Sequence, residues 1–156
     1  MIAYEIRTLD ALPWPAGLGK NLEYPGLEYQ LSQLLGDSWR DPEVNRHALE
    51  TNPEYRAILE RAFADAPWRA GLFDAVQTAT ELARRSPLLG MKTGDPTAWS
   101  TWTREFDSLD FDTQGWLRHP AKFAHNRFTD GRHRITCLRL HHPPSLPVLV
   151  KINYAH

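Results

Sequence analysis

The chain has 156 residues, of which 42% are hydrophobic and 24% charged, and its formal net charge is −1. These values are typical of one soluble domain and exclude a protein that binds nucleic acid through a large overall positive charge. The single cysteine, Cys137, excludes an internal disulfide. There is no long apolar run and no leader-like start, so we expect a cytoplasmic protein without a membrane partner.

The first third of the chain predicts a strand followed by a helix. Apolar and polar residues alternate from Ile2 to Leu9, which is typical of a half-buried strand. Proline and glycine between Leu12 and Gly19 predict a loop. Leucines at helical spacing then predict a helix from Leu27 that ends at Gly36.

The middle of the chain predicts further helices. Asp41-Pro42-Glu43 and Asn52-Pro53-Glu54 each place a capping residue before a proline, as at a helix start. Apolar stripes predict a helix after each of them and another from about Trp68 to Arg85. Asp95-Pro96 predicts one more, with an aromatic face that extends to about Leu109.

The last third predicts a strand, a helix and a strand. We expect a strand from Phe123 to Phe128, a helix from about Arg132 to Leu140 and a final strand from Pro147 to Tyr154. Together the elements predict an α+β fold with a small mixed sheet in which the two terminal strands meet. We interpret residues 1–156 as one domain with a large helical insertion at about 27–109.

The segment from Phe128 to Arg139 carries the strongest functional pattern. It predicts a strand end, a glycine turn at Gly131 and a helix start rich in cations. A helix start exposes unpaired N–H groups and the positive end of the dipole, so it suits a phosphate. Asp130 is expected to cap the helix or bind Mg²⁺. The candidate phosphate-binding residues are Asp130, Gly131, Arg132, His133, Arg134 and Thr136.

The charge around this segment is uneven. Between Arg118 and His142 there are six lysines and arginines, five histidines and one acid, Asp130. Such local polarity favours an anionic ligand at one face of the molecule. A solvated basic edge that acidic neighbours balance is the alternative interpretation.

Phe128-x-Asp130-Gly131-Arg132-His133-Arg134-Ile135, followed by Pro147-Val148, resembles the nucleotide-binding core of the ParB/sulfiredoxin-like superfamily. Ile6-x-x-Leu9-x-x-Leu12 is similar to the opening of these domains. The resemblance implies a ParB/sulfiredoxin-like core that binds ATP, ADP or CTP. It also implies that Gly131 makes the turn and that His133 and Arg134 face the phosphates.

The departures from the family pattern narrow the expected function. Arg132 stands where sulfiredoxins hold their catalytic cysteine, which argues against sulfiredoxin activity. We find no Asn-Pro-Arg-type box after the first strand and no helix-turn-helix tail after Tyr154, which argues against chromosome partition. Following the resemblance, we expect ATP hydrolysis or another phosphoryl transfer, with Mg²⁺.

Phosphoryl transfer needs a base or a water-positioning group beside the phosphate site. Some members of the superfamily take a carboxylate from the loop after the first strand, where this chain has Glu23 and Glu28. These two residues and His133 are the candidate catalytic residues. Lys20 is a further candidate for a phosphate contact. Removal of Arg134 is expected to weaken nucleotide binding by roughly 1.5–3 kcal/mol, the contribution of a charge-assisted hydrogen bond.

Three alternatives remain open at this point. The histidines could form a metal site, although their spacing fits no compact zinc pattern and we assign no metal ligands. A ParB-like nuclease would hold nucleic-acid phosphate at the same basic edge. A module without catalytic activity would bind a nucleotide and switch a protein partner, with the helical insertion as the candidate surface.

Overall fold

The computed structural model describes residues 2–19, 22–86 and 106–154. Its four strands are β1 (Ile2–Thr8), β2 (Lys122–Ala124), β3 (Arg127–Asp130) and β4 (Pro147–Asn153). They form one mixed sheet in the order β1-β4-β2-β3. β1 and β4 pair antiparallel along their whole length, from Ile2 opposite Asn153 to Thr8 opposite Pro147. The prediction that the two terminal strands meet in one sheet is therefore confirmed, as is the mixed α+β class.

The prediction of a single strand from Phe123 to Phe128 is wrong. This segment is a hairpin, in which β2 and β3 pair antiparallel with Ala124 opposite Arg127. The reversal occurs at the two residues between them, and His125 adopts a φ of 54°. Histidine and asparagine enter the left-handed region more readily than most residues, so a His-Asn pair can form a tight turn without glycine.

The helices in the described ranges are α1 (Leu27–Leu35), α2 (Pro42–Thr51), α3 (Pro53–Phe63), α4 (Leu72–Arg84), α5 (Phe111–Arg118) and α6 (Arg132–His141). Both predicted capping pairs are confirmed. The Asp41 carboxylate accepts the backbone N–H of Glu43 at 2.9 Å, and the Asn52 side chain accepts that of Glu54 at 3.0 Å. α2 and α3 therefore begin where a cap and a proline coincide.

The helical pattern after Trp68 differs in two places from the prediction. α4 begins at Leu72, because residues 67–71 form turns instead of a first helical turn. Most of the helix predicted after Asp95-Pro96 lies outside the described residues, and Phe106–Ser108 is a short 3₁₀ turn. α5 was not predicted. It starts at a capping side chain, since the Asp110 carboxylate accepts the N–H of Thr113 at 3.2 Å.

β4 is the most buried strand, and two helices satisfy its backbone. β2 pairs with β4 only at Lys151 and Ile152, so Leu149 needs other partners. The N–H of Leu149 donates to Thr80 Oγ1 of α4 at 3.0 Å, and its carbonyl accepts the indole N–H of Trp116 of α5 at 2.9 Å. Buried polar groups are nearly always paired, and here the pairing fixes α4 and α5 against the sheet.

α6 connects β3 to β4 and lies deep in the fold. All its residues from Ile135 to Leu140 are buried, including Cys137, which fits its predicted role as a small core residue. Burial raises the pKa of the Cys137 thiol to about 11, so the thiol is protonated and unreactive near neutral pH. The first and last turns of α6 are the parts of this helix that reach the surface.

No helix in the described ranges has both the length and the apolar character needed to cross a membrane.

Candidate functional site

The turn between β3 and α6 depends on Gly131, the residue at the N-cap of the helix. Its φ is +84°, a left-handed conformation that glycine adopts without strain. A Cβ at this position would lie 2.8 Å from Cα of Ala121. The glycine predicted to make the turn thus also allows close approach of the chain's own backbone, just before β2.

Asp130 does not cap α6, so that part of the prediction is wrong. The helix begins one residue later than an Asp130 cap would require, and its N-cap, Gly131, offers no capping side chain. The N-cap position has a left-handed φ, which favours glycine, so Gly131 occupies it. Asp130 is therefore left as the last residue of β3, opposite Lys122. The side chain of Asp130 is 55% exposed, and its Oδ2 lies 3.7 Å from Nη2 of Arg134.

Arg134 joins the start of α6 to the end of α5. Its Nη1 donates to the carbonyl of His119 at 2.9 Å, and its guanidinium lies 4.7 Å from the ring centroid of Trp116. Burial lowers the pKa of Arg134, and the nearby Asp130 and Tyr24 oppose that shift. With its side chain only 18% exposed, Arg134 packs against protein groups and presents little surface to a ligand.

His133 is also turned into the protein. Its Nε2 lies 2.7 Å from the carbonyl of Leu18, and because a carbonyl only accepts, Nε2 carries the proton. The ring lies against Tyr24 with 4.7 Å between the centroids, and Phe63 meets it edge-on at 6.0 Å. These contacts attach the loop after β1 to α6, so the His133 side chain positions that loop.

Thr136 lies one turn further along α6 and is buried. Its hydroxyl donates to the carbonyl of Arg132 at 2.7 Å, which is the usual bond of a helical threonine to the preceding turn. Arg132 itself is partly exposed. Among the described residues, its Nε is the buried side-chain nitrogen without a hydrogen-bond partner. Arg132 is therefore the cation of the first turn whose hydrogen bonds the described part of the chain does not complete.

The two candidate carboxylates lie on the helical side of the molecule. Glu28 is on α1, where its Oε1 lies 3.8 Å from Nη2 of Arg40. Glu23 is exposed and lines a cavity of about 710 Å³ beside Tyr24 and Trp68. Tyr24 packs on His133 in the first turn of α6. Glu23 precedes Tyr24 in the chain, so it is the candidate carboxylate next to a residue that contacts this turn. Lys20 lies outside the described residues.

Sequence reasoning missed the partners that occupy His133 and Arg134. Leu18, Tyr24, Trp116 and His119 reach the first turn of α6 from distant parts of the chain. The six tryptophans of the chain were the available signal that some arginines would be stacked, because arginine stacks readily on an indole face. The sequence did not indicate that Arg134 would be one of the stacked arginines.

The five histidines of the basic segment do not converge. His133 is in the core, His125 lies in the hairpin turn, and His141 contacts Glu60 at 2.7 Å. Within the described ranges there is no group of three or more His, Cys, Asp or Glu side chains that could hold a metal ion.

Comparisons of the chain with protein-family models, with characterised proteins and with solved structures gave no match.

Proposed function

We propose that this protein is a ParB/sulfiredoxin-like module that binds a nucleoside di- or triphosphate, with the phosphates at the first turn of α6. The observation that carries the proposal is the guanidinium of Arg132, whose buried Nε has no partner among the described residues. A buried donor without an acceptor is costly, and the oxygens of a bound anion can supply that acceptor. Arg132 is also the first residue of the helix, where the dipole favours a phosphate.

The order of elements supports the same proposal. The resemblance implies a glycine turn, a helix and a loop that leads to a Pro-Val strand. Here Gly131 precedes α6, and β4 begins with Pro147 and Val148. β4 then pairs parallel with β2, so that hairpin, helix and strand form one continuous unit.

The proposed roles of the motif residues follow from their contacts. Arg132 is the phosphate ligand, with the N–H groups of the first helical turn beside it. Arg134 and His133 hold the end of α5 and the loop after β1 against that turn, so we assign them to positioning. Asp130, half exposed beside Arg134, is the residue that could hold a Mg²⁺ brought by the nucleotide, because Mg²⁺ usually takes one or two carboxylates together with phosphate oxygens.

The geometry favours binding over catalysis as the primary activity. His133 donates its Nε2 proton to Leu18 and lies beneath Tyr24, an arrangement that suits an anchor better than a base. Hydrolysis or phosphoryl transfer would depend on Glu23, which lines the cavity beside Tyr24 and which we propose as the water-positioning carboxylate.

Calorimetric titration with ATP, ADP and CTP, with and without Mg²⁺, tests the site. Arg132→Ala is expected to weaken the best nucleotide by roughly 1.5–3 kcal/mol, about 10- to 150-fold, since one charge-assisted contact is lost. Arg127→Ala on β3 is the matched control, because it removes an exposed arginine of the hairpin that precedes α6. Equal affinity in wild type and Arg132→Ala, or no nucleotide binding at all, would refute the proposal.

Release of inorganic phosphate tests the catalytic part separately. Glu23→Gln is expected to retain nucleotide affinity and lose turnover, whereas Glu28→Gln should retain both. A wild type that binds a nucleotide without turnover would be a non-catalytic module, and the helical insertion would become the surface to test for a protein partner. Degradation of DNA without added nucleotide would favour the nuclease.

A further inference from the structure

A second basic cleft lies at the opposite end of α6. It has a volume of about 440 Å³, within the usual range of small-molecule sites. Its walls come from the segment after β1, from α2 and α3, and from the last turn of α6. Three arginines line it, together with apolar side chains of the same elements.

Arg139 forms the floor of the cleft and is only 8% exposed. Its Nη1 donates to the carbonyl of Pro13 at 2.9 Å, and its Nη2 donates to those of Leu9 and Leu12 at 2.9 and 2.8 Å. The guanidinium also lies 3.9 Å from the ring centroid of Trp14. Its partners are thus neutral carbonyls and an aromatic face, which satisfy hydrogen bonds but do not cancel the positive charge.

Arg56 on α3 is exposed, but it too donates to backbone carbonyls. Its Nη1 and Nη2 donate to the carbonyls of Leu49 and Leu140 at 3.3 and 3.1 Å. Among the described residues, neither Arg56 nor Arg139 forms an ion pair with a carboxylate. Buried charges are normally paired, so the buried guanidinium of Arg139, together with the exposed guanidinium of Arg56 in the same cleft, makes the cleft attractive to an anion.

The two carboxylates that line the cleft have other partners. Glu50 pairs with Arg46 at 3.2 Å, and Asp10 accepts a hydrogen bond from Thr8. Burial lowers the pKa of Arg139 to about 10, and Arg46 acts in the same direction, while Asp10 opposes the shift. The guanidinium of Arg139 is therefore buried and close to another positive charge, so a bound anion would stabilise its charged form.

We infer that this cleft binds a small organic anion, with a carboxylate or phosphate group on the exposed Arg56, attracted also by the buried charge of Arg139, and an apolar body against the hydrophobic wall. That wall includes the indole of Trp14 with Leu49 and Leu140, and it suits a flat or branched apolar group. The inference is independent of the proposed nucleotide site. α6 has ten residues, so its two ends lie about 15 Å apart at 1.5 Å per residue.

The test uses benzoate and phenyl phosphate as anionic probes and benzyl alcohol as a neutral probe of similar shape. Binding is followed by calorimetry, and its place by the indole N–H resonance of Trp14, assigned with Trp14→Phe. We expect one of the anions to bind and shift that resonance, and the alcohol to do neither. Arg56→Gln should weaken binding about tenfold, which is the loss of one charged hydrogen bond.

Arg61→Gln is the matched control, because it removes another exposed arginine of α3 that lines the other cavity. It should leave probe affinity unchanged. Equal affinity of wild type and Arg56→Gln would overturn the inference, and so would binding of the alcohol as tight as that of the anions. Failure of both anions to bind would overturn it as well. Folding of each variant is checked by circular dichroism. If Arg56→Gln fails to fold, the preference of the wild type for the anions over the alcohol still decides the inference, and Arg56→Lys, which retains the charge, is expected to bind.

Discussion

At each of its two ends, α6 has two arginines nearby that differ in burial. At the first turn, Arg134 is covered by Trp116, and Arg132 remains partly exposed, with no partner for its Nε within the described ranges. At the last turn, Arg139 lies beneath Trp14, and Arg56 reaches the same cleft from α3. Each end therefore pairs one buried arginine, which holds the fold, with one more accessible arginine, which is available to an anion.

This comparison shows that a cluster of basic residues is not one functional unit. A buried guanidinium with several carbonyl acceptors connects segments that are distant in the chain. An accessible guanidinium without a carboxylate partner can accept a ligand. Burial and partners separate the two roles, so substitutions of the first kind should change stability and those of the second kind should change affinity.

The largest expected effect is that of Arg139→Met. Methionine retains the apolar stem but leaves the carbonyls of Leu12 and Pro13 without their Arg139 donor, while the carbonyl of Leu9 loses one donor and still accepts the N–H of Leu12. A buried acceptor without a partner costs about 1–3 kcal/mol, so we expect a loss of about 3–5 kcal/mol in the free energy of unfolding. Urea denaturation measures it, with the exposed Arg127→Met as control. A loss no greater than that of the control would remove the distinction between holding and binding arginines.

Gly131→Ala should have the next largest effect. The alanine would have to adopt a left-handed φ, and its Cβ would lie 2.8 Å from the Ala121 backbone. Left-handed strain and overpacking together are expected to cost about 2–3 kcal/mol. Gly115→Ala is the matched control, because its Cβ would meet no atom within 4 Å inside α5. Helix propensity predicts that this control stabilises the protein by about 0.5–1 kcal/mol, and effects of the same sign would contradict the prediction.

The smallest expected effect is a pH dependence at the residue after α6. The His142 ring stacks on Phe73 with 4.1 Å between the centroids, and burial, with His141 and Arg69, lowers its pKa. The unfolded chain therefore binds a proton at His142 more tightly than the folded chain does. The contribution of neutral His142 to the free energy of unfolding is present above the ordinary pKa of 6.5, and it is lost as the pH falls from 6.5 through the lower pKa of the folded state. His142→Phe retains the stacking and should flatten the pH profile of urea midpoints between about pH 7 and 5. An unchanged profile would show that His142 does not contribute.

Local sequence predicted much of this fold because caps, turns and periodicity act over a few residues. Asp41 and Asn52 cap their helices as expected, and the terminal strands pair as their alternation indicates. The exceptions also have local causes. The strand predicted from Phe123 to Phe128 is interrupted by a turn at His125, a residue that enters the left-handed region less readily than glycine.

The sequence by itself determined that a glycine turn and a basic helix follow one another, and from that pattern it predicted an anion site at the start of the helix. Only the tertiary structure decided which cations are available there. His133 is satisfied by Leu18, a residue 115 positions away, and Arg139 by Pro13, 126 positions away. Hydrogen bonds and burial depend on which distant segments cover a side chain, and that information is absent from the pattern of its neighbours.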